Sequence, residues 1–385
     1  MSGVAVIGVG MTPVSSTSDK SLAELFVQAA KEAIDNAGVD RIDAMYVGNM
    51  MSGFLQHQEH LGPLMASALG KEGVPTYKVE AACASGGVVM NVGMKAVLSG
   101  LDKIVVVGAV EKMSGYSTPE VTAGLMMAED RLRVAASGVT FVGLNGMIAR
   151  QYMHRFKVSH EIMAELPVLC HENALDNPNA QFHKRITVSD VLRSPLVADP
   201  LRLYDCSGMG DGAAVAILTS NEEARKFTDT PVEVAASCVA SDTLSLYQRK
   251  DITIFEASRK AANEAYGRAK LAPTDIDVLE VHDAFSVLGL MALEDLGFAE
   301  KGSAGAQLLV NGECNRDGRL PLNTFGGLKA RGHPVGASGM YQIVELTLQL
   351  SQRAAKCQVP DSSVGLAQSI GGIGSTVAVH ILRRK

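Results

Sequence analysis

Two hydrophobic runs, Ile104–Val107 and Ala213–Leu218, show no two-residue alternation of apolar and polar positions. Continuous runs of that length fit central strands covered on both faces rather than half-solvated ones. With 4–9, 43–48 and 76–81 they predict strands at 4–9, 43–48, 76–81, 104–109 and 213–219. Between them the apolar period lengthens. Residues 21–47 read as an amphipathic helix, a turn and a strand, and Val88, Val89, Val92, Met94 and Val97 mark a second helix. Alternating strands and helices of this kind predict a layered α/β architecture, with helices outside and between two sheets.

The pattern occurs twice. Residues 255–281 repeat the layout of 21–47, and Ile42 and Asp43 align with Ile276 and Asp277 at one constant offset of 234. The run C-A-S-G-G (83–87) has a counterpart in G-A-S-G-M (336–340), and each opens a long apolar helix. The halves also end alike, in D-G-A-A-V-A-I-L (211–218) and S-T-V-A-V-H-I-L (375–382). Shared order over more than about 100 residues signals a duplicated unit. Residues 112–205 interrupt the first copy, with helices predicted at 140–156 and 159–175. A long insertion reads as a lid or loop subdomain over a site. The predicted organisation is therefore an N-terminal half (1–111 with 206–222), an inserted segment (112–205) and a C-terminal half (230–385).

Composition narrows the function classes. Of the 385 residues, 47% are apolar and 20% charged, as in an ordinary globular protein. A net charge of −6 gives no reason to expect nucleic acid or an anionic membrane as partner. No apolar run reaches the roughly 18 residues of a membrane span, and the start M-S-G-V-A-V-I-G-V-G lacks a basic leader. Six cysteines (83, 170, 206, 238, 314, 357) form no C-x-x-C pair. They predict neither a zinc ribbon nor a disulfide framework, and a reducing, cytoplasmic setting. His57 and His60 have no further ligand cluster around them, so no metal site is expected.

The chemistry centres on Cys83, in E-A-A-C-A-S-G-G (80–87). A cysteine at a helix start is expected to feel the positive end of the dipole, which favours thiolate. His333 lies in G-G-L-K-A-R-G-H-P-V-G-A-S-G (326–339), at the matching place in the second half. A pseudo-twofold fold would bring the two helix starts together. V-H-D-A-F-S (281–286) offers His282, and Q-S-I-G-G-I-G (368–374) offers backbone N–H groups in a glycine turn.

These motifs, in this order and over nearly the whole chain, resemble the thiolase superfamily. H-D-A-F places the resemblance with the archaeal and sterol-carrier-protein-type branch. The resemblance implies a thiolase-like, duplicated five-layer αβαβα fold with an inserted loop domain. It implies an acetyl-CoA C-acetyltransferase that makes acetoacetyl-CoA for the mevalonate route, with coenzyme A thioesters as substrates and no other cofactor. By the same resemblance Cys83 is the acylated nucleophile and His333 takes its proton. His282 serves the oxyanion hole, directly or through a water, and the N–H groups of Cys83 and Gly371 form a second one. Ser237 is expected to touch pantetheine. Arg131, Arg133, Arg150, Lys184 and Arg185 are candidate cations for the anionic coenzyme. Homodimers or dimers of dimers are implied, as is association with HMG-CoA synthase through a small zinc-ribbon/OB-fold protein.

One departure matters. Most thiolases carry a second cysteine in a C-terminal C-x-G turn, where this chain has Ser369; sterol-carrier types carry it in H-D-C-F, where this chain has Ala284. The base for the Claisen step is left to His282, His333, a bound water or a cysteine elsewhere, such as Cys206. Alternatives with the same motifs are a sterol-carrier-type 3-ketoacyl-CoA thiolase, a decarboxylating ketoacyl synthase, and an acyl-binding scaffold subunit with little turnover.

Overall fold

The computed structural model describes residues 3–16 and 19–385. The first half runs β1 (Val4–Met11), α1 (Leu22–Ala37), β2 (Ala44–Gly48), α2 (Ser52–Leu55), α3 (Leu61–Ala68), β3 (Thr76–Val79), α4 (Ser85–Leu98) and β4 (Val105–Glu111). The inserted segment holds α5 (Thr118–Leu125), α6 (Phe141–Phe156), α7 (His160–Ala174), α8 (Val188–Arg193) and the short strands β5 (Leu196–Ala198) and β6 (Leu201–Arg202). β7 (Gly212–Ser220) then returns to the first half. The second half runs β8 (Val232–Ser241), α9 (Glu256–Ala269), β9 (Val278–Glu280), α10 (Ser286–Asp295), α11 (Ser338–Leu350), β10 (Val364–Gly371) and β11 (Thr376–Arg384).

Local chemistry explains the element ends. Ser21 caps α1, its N–H bonded at 2.8 Å to Glu24, which stands three residues on. Leu22, Leu25, Phe26, Ala29, Ala30 and Ala33 form the buried stripe, and Gly38 at φ 63° stops the helix. Every residue of β4 is buried, as the unbroken apolar run predicts for a doubly covered strand.

The main sheet has nine strands in the order β3-β2-β4-β7-β1-β8-β11-β10-β9. Read outward from the β1/β8 boundary, each half adds its last strand, then the strand after the central helix, then one that precedes that helix in the chain. The sequence predicts two sheets. The structure joins them, because β1 and β8 pair antiparallel over Val4↔Val234, Ala5↔Glu233 and Val6↔Val232. The second copy has no full counterpart of β3; a single bridge, Leu279↔Leu322, stands in its place. Asp43 and Asp277 confirm the duplication at atomic detail. Asp43 accepts the N–H of Lys103 and Ile104 at 2.9 Å, and Asp277 accepts those of Ser363 and Val364 at 2.8 and 2.9 Å. Each aspartate fastens the strand that follows its own half's central helix.

Helices α4 and α11 pack on each other and on strands of both halves, while α1 covers the first half-sheet and α9 the second. This is the expected five-layer arrangement. The two central helices touch where neither has a side chain. A Cβ on Gly86 would lie 2.5 Å from the Met340 nitrogen, and one on Gly339 2.6 Å from the Gly87 nitrogen. Glycine at both places lets the two helix starts meet. The inserted segment does not stand apart: Ile148, Tyr152, Met163, Leu166 and Cys170 share one core with Leu279, Val377 and Ile381 of the second half.

Near this crossing, burial pushes the imidazole of His380 down to about 4. The unfolded chain therefore binds more protons than the folded one below about pH 6.5, and His380 contributes stability that is lost as pH falls toward 4. The expected result is that the stability advantage of wild type over His380→Asn shrinks by on the order of 2 kcal/mol between pH 7 and pH 4.5. Urea midpoints at the two pH values measure it, and a difference independent of pH would contradict the assignment.

Candidate active site

The turn before α4 is held in a strained shape. Ala82 has φ 51°, a left-handed conformation that costs roughly 1–3 kcal/mol outside glycine. Ser85 secures it: its hydroxyl accepts the Ala81 N–H at 2.9 Å and donates to the Ala82 carbonyl at 2.6 Å. Cys83 follows the strained residue and faces a cavity of about 200 Å³. Cys206, His282, Ala284, His333 and Gly372 line the same space, with apolar walls that include Met113 and Phe285. The structure thus gathers Cys83, His282 and His333 from distant parts of the chain.

The rings of His282 and His333 meet edge to face, centroids 5.2 Å apart. His333 Nδ1 lies 2.6 Å from the Ser338 hydroxyl. That hydroxyl donates to the Pro334 carbonyl at 3.1 Å, so it accepts from Nδ1–H, and the lone pair of His333 sits on Nε2. Burial depresses both imidazoles, His282 to about 3 and His333 well below its ordinary value, where His282 and the cations Arg331 and Lys329 add to the effect. Both are neutral near pH 7.

Cys83 corrects an expectation. The helix start was expected to favour thiolate, yet the thiol is pushed up to about 12, first by burial and then by the Glu111 carboxylate. Its own N–H and that of Gly372 act in the opposite direction without prevailing. The resting group is a thiol, and a base must take its proton. Glu111 lies fully buried at the end of β4 and accepts the N–H groups of Met50, Met51 and Gly336 at 3.0–3.1 Å. Burial still lifts it to about 7.

Other expected residues fall elsewhere. The N–H of Gly372 acts on the Cys83 sulfur, while Gly371 ends β10 opposite Thr376 and packs against Ala81 and Ala84 of the Cys83 turn. Ser237 is fully buried in β8 and holds the Asn91 amide at 3.0 Å. It ties α4 to the second half and cannot touch pantetheine. Ser369 packs against Gly87 and Gly339 at the helix crossing, outside the cavity lining. Of the five cations, Arg131 lines a surface groove that shares Thr118 and Thr122 with the cavity. Arg133, Arg150 and Arg185 pair with Asp130, Asp199 and Glu172 at the surface, and Lys184 reaches the Tyr204 hydroxyl at 3.4 Å.

The sequence reading missed Ser338 and Gly372. A signal for Ser338 existed: it is the duplicate of Ser85 in the aligned A-S-G motifs, and each serine fixes the catalytic turn of its own half. Among the described residues no group of three or more His, Cys, Asp or Glu side chains could hold a metal ion, and no helix is long and apolar enough to cross a membrane.

A cysteine and a neutral histidine lining one small apolar chamber, with backbone N–H groups at the sulfur, define a covalent acyl-transfer site on a duplicated α/β fold. The thiolase N-terminal domain model matches residues 4–222, and the thiolase C-terminal domain-like model matches residues 238–384. The chain belongs to the thiolase family and is an acyltransferase. It is 47% identical over 386 residues to the acetyl-CoA acetyltransferase of Methanothermobacter thermautotrophicus, covering 100% of both chains. It is 40% identical over 397 residues to that of Methanocaldococcus jannaschii, again covering 100% of both. Among solved structures, the Ltp2-ChsH2(DUF35) aldolase superposes with a TM-score of 0.83 at 24% identity, over 99% of this chain and 98% of that one.

Proposed function

We propose that this protein is an acetyl-CoA C-acetyltransferase, condensing two acetyl-CoA to acetoacetyl-CoA plus CoA through an acetyl-Cys83 intermediate, and running the reverse thiolysis. The observation that carries the reading is that the Cys83 thiol and a neutral His333, its Nδ1 bonded to Ser338 and its Nε2 left to accept, line one small cavity. His333 takes the thiol proton as the sulfur attacks the thioester carbonyl. The N–H groups of Cys83 and Gly371 are assigned to the acyl oxygen, and that of Gly372 lies at the sulfur. His282 closes the other side of the cavity as a neutral ring for the oxygen of the second thioester.

Size supports the acetyl substrate. A cavity of about 200 Å³ falls below the roughly 300–1,000 Å³ usual for drug-sized ligands, so a short acyl group fits and a long one does not. The groove beside Arg131, about 630 Å³, suits the coenzyme's approach. The two acetyltransferase relatives support the acetyl reading. The reading places the enzyme in the cytoplasm, feeding the mevalonate route. It also includes a homo-oligomer and an association with HMG-CoA synthase through a small zinc-ribbon/OB-fold protein. The two-component name of the Ltp2-ChsH2(DUF35) aldolase supports a partner of that kind.

Incubation with acetyl-CoA followed by peptide mass mapping is expected to place an acetyl group on Cys83. Thiolysis is expected to be fastest with acetoacetyl-CoA and to drop as the 3-ketoacyl chain lengthens. An acetyl group on another cysteine would reject the intermediate, and a preference for long chains would favour the sterol-carrier-type activity.

A further inference from the structure

We propose that Cys206 is the second acid/base thiol of this site, placed on the strand-like segment beside Ala284 and backed by the ammonium of Lys329. The inference rests on the acyltransferase reading above and assigns the group that moves the α-proton.

Condensation needs a group that removes a proton from the methyl of the second thioester. The cavity offers few. His333 is already assigned to the Cys83 proton. His282, 3% exposed and with no partner for Nδ1 among the described residues, is pushed to about 3 and is a weak base. Ser369 lies outside the lining, and Ala284 has no proton to exchange. Cys206 lines the same cavity as Cys83, His282 and His333, and its side chain is partly exposed there.

Backbone pairing puts Cys206 at Ala284. Cys206 bridges Phe285 antiparallel, and the Ser207 N–H donates to the Ala284 carbonyl at 2.9 Å. A thiol missing from position 284 is thereby replaced from the neighbouring segment. Behind this pair lies Lys329, 2% exposed, its ammonium bonded to the Asp205 carbonyl and 3.5 Å from that of Ala284. Burial raises the Cys206 thiol to about 11, and the Lys329 charge opposes that rise. At rest Sγ lies 3.5 Å from the Arg202 carbonyl, so the proton is on sulfur.

The proton count closes over one turnover. As Cys83 attacks the first acetyl-CoA, its own proton passes to His333, and the carbonyl–sulfur bond to CoA breaks. Cys206 gives its proton to the departing CoA thiolate, leaving CoASH and a Cys206 thiolate beside Lys329. That thiolate then takes a proton from the methyl of the second acetyl-CoA. The released electron pair forms the carbon–carbon bond to acetyl-Cys83. Collapse expels the Cys83 thiolate, which recovers its proton from His333, and acetoacetyl-CoA leaves with Cys206 again a thiol.

Three rates test this in wild type, Cys206→Ala, Cys206→Ser and the double variant Cys206→Ala/Ala284→Cys. They are acetylation of Cys83, deuterium uptake into the acetyl-CoA methyl, and condensation. Both single variants are expected to acetylate Cys83 within about tenfold of wild type, because a thiolate leaves without much help. Deuterium uptake and condensation are expected to fall about 10²–10⁴-fold, the usual worth of a positioned acid/base. The double variant is expected to recover about tenfold or more of both. Condensation within about threefold of wild type in Cys206→Ser would overturn the proposal. So would equal loss of all three rates in a folded variant, or no recovery in the double variant. Wild type that never acetylates Cys83 would instead overturn the acyltransferase reading.

Discussion

Cys83→Ala is expected to lower both condensation and thiolysis by about 10⁴-fold or more, the usual scale for removing a covalent nucleophile. Of the other groups lining the chamber, Cys206 has its thiol bonded to the Arg202 carbonyl, and both histidines are neutral and buried. Cys83→Ser should lose nearly as much, since a hydroxyl is a far weaker acid than the thiol it replaces. Steady-state thiolysis of acetoacetyl-CoA measures both variants, with thermal melting as the folding control. Residual turnover within about a hundredfold of wild type, in well-folded Cys83→Ala, would remove Cys83 from the covalent role.

The second large effect concerns stability. Arg331 is fully buried, with Nε 3.2 Å from Glu345 and its guanidinium 4.7 Å from the Tyr341 ring centroid. Glu280, also buried, faces both. Burial raises the two carboxyls, Glu345 to about 7, and Arg331 is the charge that holds them down. Arg331→Leu leaves two carboxylates without their cation, a loss of about 3–5 kcal/mol. The sign of its pH dependence follows from the raised carboxyls. Where the folded state binds more protons than the unfolded, stability falls as pH rises. The variant's deficit should therefore widen between pH 5.5 and pH 8, as read from urea midpoints. A loss below about 1 kcal/mol at both pH values would show that the three charges are not coupled to folding.

The sequence carried much of this architecture because its strongest signals are local. Unbroken runs such as Ile104–Val107 fit buried strands, and the aligned Asp43 and Asp277 expose the duplication. Duplication in turn brings Cys83 and His333 together, because equivalent helix starts must meet at a pseudo-twofold centre. What stayed illegible depends on pairing between distant segments. The rise of the Cys83 thiol, which outweighs the helix start, comes from burial within the surrounding walls and from the Glu111 charge. Ser237 is occupied by the amide of Asn91, 146 residues away in the chain. The proximity of Cys206 to Ala284 rests on a backbone bridge that no spacing announces.

The glycine crossing of α4 and α11 has a consequence for the nascent chain. The first half-sheet can close once β7 has been synthesised, because β7 is the partner of both β1 and β4. The second half-sheet waits for the C-terminal strand β11, which pairs with β8 and β10. Until α11 docks, Cys83 has neither His333 beside it nor the burial that raises its thiol. During that interval its thiol is less buried and more open to oxidants. Docking of the second half therefore does two things at once: it assembles the acyl-transfer centre, and it ends the period in which the nucleophile can be lost to side reactions.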